Sequence, residues 1–215
     1  KVVRERILEK TVEAQKELEQ IYSDQSGTLT KNLRLESERH LDELDEESFS
    51  TTYPFLPYQL DLIPQILSNL RSSGGIDTTA QQITGRERNM IKIIQNSIKQ
   101  NVLDEEIGSI ITLDIIFDQI KTDLPDEVVR RIEEVELESN TEKGKKILKT
   151  LYLLQQLKWV PNTKENNSKS LTSHLDQNRR DVQEEVEEML DELRTGKYIE
   201  QQPNGYRYLT PTERD

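Results

Sequence analysis

The chain has 215 residues and carries 29 Lys and Arg against 41 Asp and Glu, giving a formal net charge of −12, a pI near 4.8 and a mean hydropathy of −0.80. No stretch approaches the roughly 18 apolar residues that a membrane span needs, and no charged-then-apolar leader opens the chain, so a cytoplasmic protein without a membrane partner is expected. The acidity excludes a nucleic-acid binder basic over its whole surface, and the lack of cysteine removes disulfides, thiolate metal sites and thiol nucleophiles.

Low hydropathy raises the question of disorder. The 26 Leu, 19 Ile, 10 Val and 3 Phe answer it, because they exceed the roughly 20% of large core formers below which disorder becomes the default. Few aromatics and abundant Leu, Ile, Glu, Gln and Lys favour helices packed by aliphatic side chains.

Val3, Ile7, Leu8, Val12, Leu18 and Ile21 recur at near-helical spacing and predict a helix over 1–23. It opens without a capping residue, so the chain is expected to start inside a longer protein. Residues 23–50 are polar and hold Gly27 and the acidic run Asp42-Glu-Leu-Asp-Glu-Glu47; they read as a connection with one short helix. In Tyr53-Pro-Phe-Leu-Pro-Tyr-Gln59 two prolines fix extended backbone around Phe55, and Pro64 suits the first turn of a helix capped by Asp61 and running to Arg71. Tyr53, Phe55 and Tyr58 either pin this segment into the core or form an edge for a partner. After a polar loop, a strongly apolar helix is expected from Gly85, a further one over 104–121 carrying Ile107, Ile110, Ile111, Ile115, Ile116 and Ile120, and another after Pro125.

The last 75 residues change pattern. A helix over 142–160 buries Ile147, Leu148, Leu151, Leu154 and Trp159 and ends at Pro161; a short helix over 163–175 is capped by Thr163. A third helix over 178–195 carries Val182, Val186, Met189, Leu190 and Leu193 on one face, with Gly196 placed to stop it. Strands at 198–202 and 206–209 flank Pro203-Asn-Gly205. Three helices closed by a hairpin describe a winged helix. The expected fold class is therefore mainly α, a helical bundle followed by a C-terminal winged-helix domain with a short β-hairpin, with divisions at 1–52, 53–140 and 141–215.

No catalytic constellation emerges. The Gly-Lys at residues 144–145 lacks the first glycine and the Ser or Thr of a phosphate loop, since Ser139 and Lys146 stand there. His40 and His174 lie far apart, and Ser173-His174 has no acid at a diagnostic spacing. The carboxylates of the third helix read as a solvated face. We therefore expect no catalytic, cofactor or metal residues in this chain and no small-molecule substrate. Basic residues give two candidate surfaces. Lys143, Lys145, Lys146 and Lys149, with Lys197 and Arg207 near the hairpin and Arg179 and Arg180 at the start of the third helix, are candidate DNA or partner contacts. Arg86 and Arg88 are candidate phosphate or interface contacts.

Several segments together resemble the large P-loop ATPases of BREX-type phage-defence islands, the BrxC/PglY-like family. The carrying residues are Tyr53-Pro-Phe-Leu-Pro-Tyr-Gln59, Gly85-Arg-Glu-Arg-Asn-Met90, Thr163-Lys-Glu-Asn166 and the ending from Gly196-Lys-Tyr-Ile199 through Tyr206-Arg-Tyr-Leu-Thr-Pro-Thr-Glu213. The resemblance implies an AAA+-like ATPase module preceding residue 1, with ATP and Mg belonging to that parent protein. This chain would then be the region after the ATPase core: a lid-like first segment, a helical middle and a winged helix, with other defence subunits, a second copy or DNA as partner. The alternative class is a stand-alone winged-helix transcription regulator with a helical dimerisation domain.

Overall fold

The computed structural model describes residues 7–73 and 85–213, with backbone alone for 85–89 and 211. Helix α1 (Val12–Leu33) starts where the Thr11 hydroxyl accepts the Ala14 N–H. Residues 1–6 of the helix expected over 1–23, Val3 included, lie outside the described residues; residues 7–11 are not helical, and α1 begins behind its cap and runs on through exposed Gly27, burying Leu18, Leu29 and Leu33. It packs on α2 (Glu46–Thr52), whose start is a reciprocal capping box: Asp45 accepts the Ser48 N–H, and Ser48 accepts the Asp45 N–H.

The first-turn proline of α3 (Pro57–Ser72) is Pro57, and Pro64 lies inside the helix instead of opening it. Pro64 removes the N–H that the Leu60 carbonyl would accept; it is exposed, so water can serve that carbonyl. Asp61, expected as a cap, sits within the helix and accepts the Asp42 N–H at 3.2 Å. Phe55 and Tyr58 are buried, as the core-pinning reading expects, whereas Tyr53 is half-buried at the edge of the core.

Helices α4 (Gly85–Asn101), α5 (Leu113–Ile120) and α6 (Asp126–Glu133) follow, with a 3-10 turn at Lys121–Asp123. The helix predicted over 104–121 is confined to its second half. Residues 108–112 instead form an extended strap hydrogen-bonded on both sides. The Ile111 N–H donates to the Pro54 carbonyl at 3.0 Å, and Gln59 Nε2 donates to the Ile111 carbonyl at 2.7 Å. On the other side the Ile110 N–H donates to Ser173 O at 2.8 Å and the Leu175 N–H donates to Gly108 O at 2.9 Å. These partners lie too far along the chain for helical periodicity to reveal them. Gly108 adopts φ +131, and a Cβ there would stand 2.5 Å from the His174 ring, so the strap needs glycine both for conformation and for the close approach.

The C-terminal elements are α7 (Thr141–Leu154), α8 (Lys164–Ser170), α9 (Arg179–Thr195), β1 (Ile199–Gln202) and β2 (Gly205–Tyr208). Asn140, Thr163 and Asn178 cap the three helices, accepting N–H groups at 3.0, 3.1 and 2.9 Å. Helix α7 stops at Leu154, shorter than expected, and Trp159 and Val160 enter the core from the turn beyond it. On α9 all five periodic apolar residues are buried. Lys197, not Gly196, takes the left-handed conformation after α9, with φ 56. The strands pair antiparallel with Ile199 opposite Tyr208, and the Tyr206 N–H donates to Asn162 O at 2.9 Å, tying the hairpin to the start of α8. Phe117, Tyr152 and Tyr208 form an edge-to-face column with centroids 5.9 and 5.5 Å apart, joining α5, α7 and β2.

Among the described residues the protein is therefore mainly helical, with nine α-helices and one short antiparallel hairpin near its C-terminal end. Replacing Gly108 by Ala forces both strain and a clash, so chemical denaturation should show Gly108→Ala destabilised by about 1–3 kcal/mol.

Candidate functional site

The α7 lysines illustrate how the basic candidates are placed. Lys143 meets the Glu185 carboxylate on α9. Lys145 bridges Glu142 at 3.1 Å and Glu133 at 4.0 Å. Lys149 is buried along the Phe117 ring and reaches Asp118 at 2.8 Å and Glu133 at 3.6 Å. Burial pulls the Lys149 ammonium downward, but the hydrogen bond and charge of Asp118, aided by Glu133, hold it above its ordinary value. Lys146 is exposed and has no ion pair among the described residues.

The hairpin behaves in the same way. Arg207 binds Glu200 at 2.8 Å and Glu213 at 2.5 Å, and these bonds hold both carboxyls below the usual carboxylate range. Lys197 is exposed, and its carbonyl accepts Arg131 Nη2 at 2.7 Å, which anchors α6 to the turn before β1. At the start of α9, Arg180 pairs with Glu184 at 2.7 Å, whereas Arg179 is half-buried and faces away from that pair into a cleft. The side chains of Arg86 and Arg88 lie outside the described residues. The structure thus scatters the candidates over α7, the hairpin and the start of α9 and neutralises five of them: Lys143, Lys145, Lys149, Arg180 and Arg207.

The cleft is the feature that sequence reasoning missed. It has a volume of about 500 Å³ and lies between the C-terminal end of α1, residues 34–37, α8 and the start of α9. Lys31, Arg34, Lys169 and Arg179 line it with the single acid Glu36. Apart from Arg179 these cations carried no signal in the sequence, because they are spread over 31–179 and no local spacing links them.

The remaining polar groups do not compose a reactive centre. The Ser173 hydroxyl faces Gln177 at 3.4 Å, while the His174 ring bonds Asp176 at 2.5 Å and stacks against Gly108. No group of three or more His, Cys, Asp or Glu among the described residues could hold a metal ion. Gly144 and Lys145 lie within α7 and not in a loop that could curl around phosphate, so they do not form the phosphate loop of the ATPase module implied for a parent protein. No helix among the described residues is long and apolar enough to cross a membrane. No family model and no solved structure matches the chain.

One buried acid stands out energetically. Asp114, 4% exposed, has one carboxylate oxygen without a hydrogen-bond partner. Burial pushes its carboxyl upward against the opposing effects of Thr112 and Lys146. A raised folded-state value means that its favourable contribution is present at low pH and is lost as pH rises through that value. Asp114→Asn should therefore be more stable than the wild type at pH 7 by about 1 kcal/mol. The gap should close as pH falls toward about 4, the ordinary carboxylate value, as checked by urea denaturation across pH.

Proposed function

We propose that this chain is a non-catalytic regulatory and assembly region of a BREX-type phage-defence P-loop ATPase. In this reading α7, α8, α9 and the hairpin act as a winged-helix unit that docks onto a partner subunit. The order of three helices followed by a hairpin supports the winged-helix assignment, and the motif order over residues 53–213 supports the family.

The observation that carries the choice of partner is the internal neutralisation of the basic residues. A lysine already paired with a carboxylate gains little from a phosphate, because the counterion release that drives DNA binding needs uncompensated cations. Helix α9, which would enter a major groove, also exposes Glu184, Glu187 and Glu188 beside Arg180. Carboxylates there oppose a phosphate backbone. A partner protein with polar and basic contacts suits such a surface better. The helical body suits an assembly role for the same reason: residues 1–140 hold 16 basic and 28 acidic side chains, whereas residues 141–215 hold 13 of each.

One observation favours the second reading, a stand-alone winged-helix regulator: Arg179 opens α9 without an ion pair among the described residues. A gel-shift titration separates the two. Weak, steeply salt-sensitive binding or none is expected; operator-like affinity, about 10⁻⁸ M or tighter at physiological salt, would establish the regulator instead. The isolated chain should also show no ATP turnover. Turnover abolished by Arg86→Gln or Arg88→Gln would overturn the non-catalytic assignment, and a reading frame without Walker motifs upstream of Lys1 would overturn the P-loop ATPase parentage.

A further inference from the structure

We infer that the cleft between the C-terminal end of α1 and the α8–α9 turn is a binding site for a small phosphate-bearing ligand. The inference does not depend on the family proposal above; it rests on charge, on one underused cation and on a rigid frame.

Four of the eight lining residues are Lys or Arg and one is acidic, in a chain whose net charge is −12. Such a local excess opposes the field of the whole protein, and like charges brought together in a concave site repel one another unless an anion joins them. Lys31, Arg34 and Arg179 make no ion pair among the described residues.

Lys169 is the telling residue. It is 8% exposed, yet its ammonium lies 3.9 Å from the Glu36 carboxylate, beyond hydrogen-bond distance, and donates to no protein acceptor among the described residues. Every other described lysine that is buried or half-buried ends on a close acceptor. Lys10 donates to the Leu8 carbonyl at 2.6 Å, Lys143 to Glu185, Lys145 to Glu142 at 3.1 Å, Lys149 to Asp118 at 2.8 Å and Lys164 to Glu187 at 2.8 Å. The Lys169 stem is buried while its ammonium reaches the cleft, so its donors are available to an anion there. Burial, together with the charges of Arg179 and Arg34, draws the Lys169 ammonium below its ordinary value, and Glu36 only partly offsets this.

The frame holding these cations is fixed. The Glu36 N–H donates to Asn166 Oδ1 at 2.8 Å, and Asn166 Nδ2 donates back to the Glu36 carbonyl at 2.9 Å and to Pro161 O at 2.8 Å. Asn166 is fully buried. It thus clamps residues 34–37 to α8 one turn before Lys169, so the cations need little reorganisation to meet a ligand. Arginine offers a planar fork and lysine a point charge, the donor set that phosphate oxygens take. The volume of about 500 Å³ exceeds what a lone phosphate fills and falls within the roughly 300–1,000 Å³ of small-ligand sites.

The test is isothermal titration of the 215-residue chain with inorganic phosphate, pyrophosphate, magnesium-free ATP, citrate and a DNA duplex at fixed ionic strength. Pyrophosphate or ATP should bind saturably at one site. Arg34→Gln, Arg179→Gln and Lys169→Gln should each weaken that binding by about tenfold or more, while Lys16→Gln, which removes the same charge elsewhere on α1, leaves it unchanged. Should Lys169→Gln fail to fold, the half-buried Arg179 and exposed Arg34 variants decide. Saturable binding of no phosphate compound, binding insensitive to the Arg34 and Arg179 variants, equal preference for citrate, or binding of the duplex alone would each overturn the assignment.

Discussion

The hydrogen bonds on either side of residues 108–112 are the constraint on which the rest of the structure depends. This short extended segment satisfies its backbone by pairing with Pro54 on one side and with Ser173 and Leu175 on the other. Ile110 and Ile111 are buried beneath these bonds, so breaking the strap would expose apolar surface and leave buried N–H and C=O groups unpaired at once. Tyr53, whose hydroxyl accepts the Gly108 N–H at 2.8 Å, and Gln59, which accepts the Leu56 N–H while donating to Ile111, turn the proline-rich segment into the other half of the clamp. Helix α3 and the C-terminal elements are thereby held to a common backbone, and α8 acquires a fixed position beside α1.

Electrostatics then divides the surface. Exposed ion pairs of the kind seen at Arg180 or Arg207 contribute little stability singly, about 0–1 kcal/mol. Their effect here is on recognition: they cancel the cations of α7, α9 and the hairpin that would otherwise attract a polyanion. The cleft beside Lys169 is the counter-example, because four cations line it with a single carboxylate, which only Lys169 approaches. One fold thus presents an outer face on which most of the basic candidates are neutralised and a small concave region lined by cations.

Much of this was legible in the sequence, and the reasons are physical. Helix α9 announces itself through a strict apolar period that stops at Gly196, and the hairpin through Pro203-Asn204-Gly205 between alternating residues. Caps at Thr163 and the burial of Phe55 and Tyr58 were likewise readable. The strap was not. Its isoleucines fit a helical period by coincidence, and tertiary pairing with Pro54, Ser173 and Leu175, each more than 50 positions away, overrode it, as such contacts commonly override local propensity. The end of α7, the interior position of Pro64 and the cap of α1 at Thr11 were missed for a related reason: each depends on which neighbouring group satisfies the backbone at that point. The cleft was illegible because its cations are brought together by the fold alone.

If the strap is what unites the proline-rich segment, α5 and the C-terminal elements, its amides must open only when the whole molecule unfolds. Native-state hydrogen exchange at Ile110, Ile111 and Leu175 tests this most directly. The account predicts that these three amides fall in the slowest-exchanging class, with an opening free energy equal to that of global unfolding. Exchange at the rate of the exposed residues 104–106, or opening well below the global free energy, would contradict it.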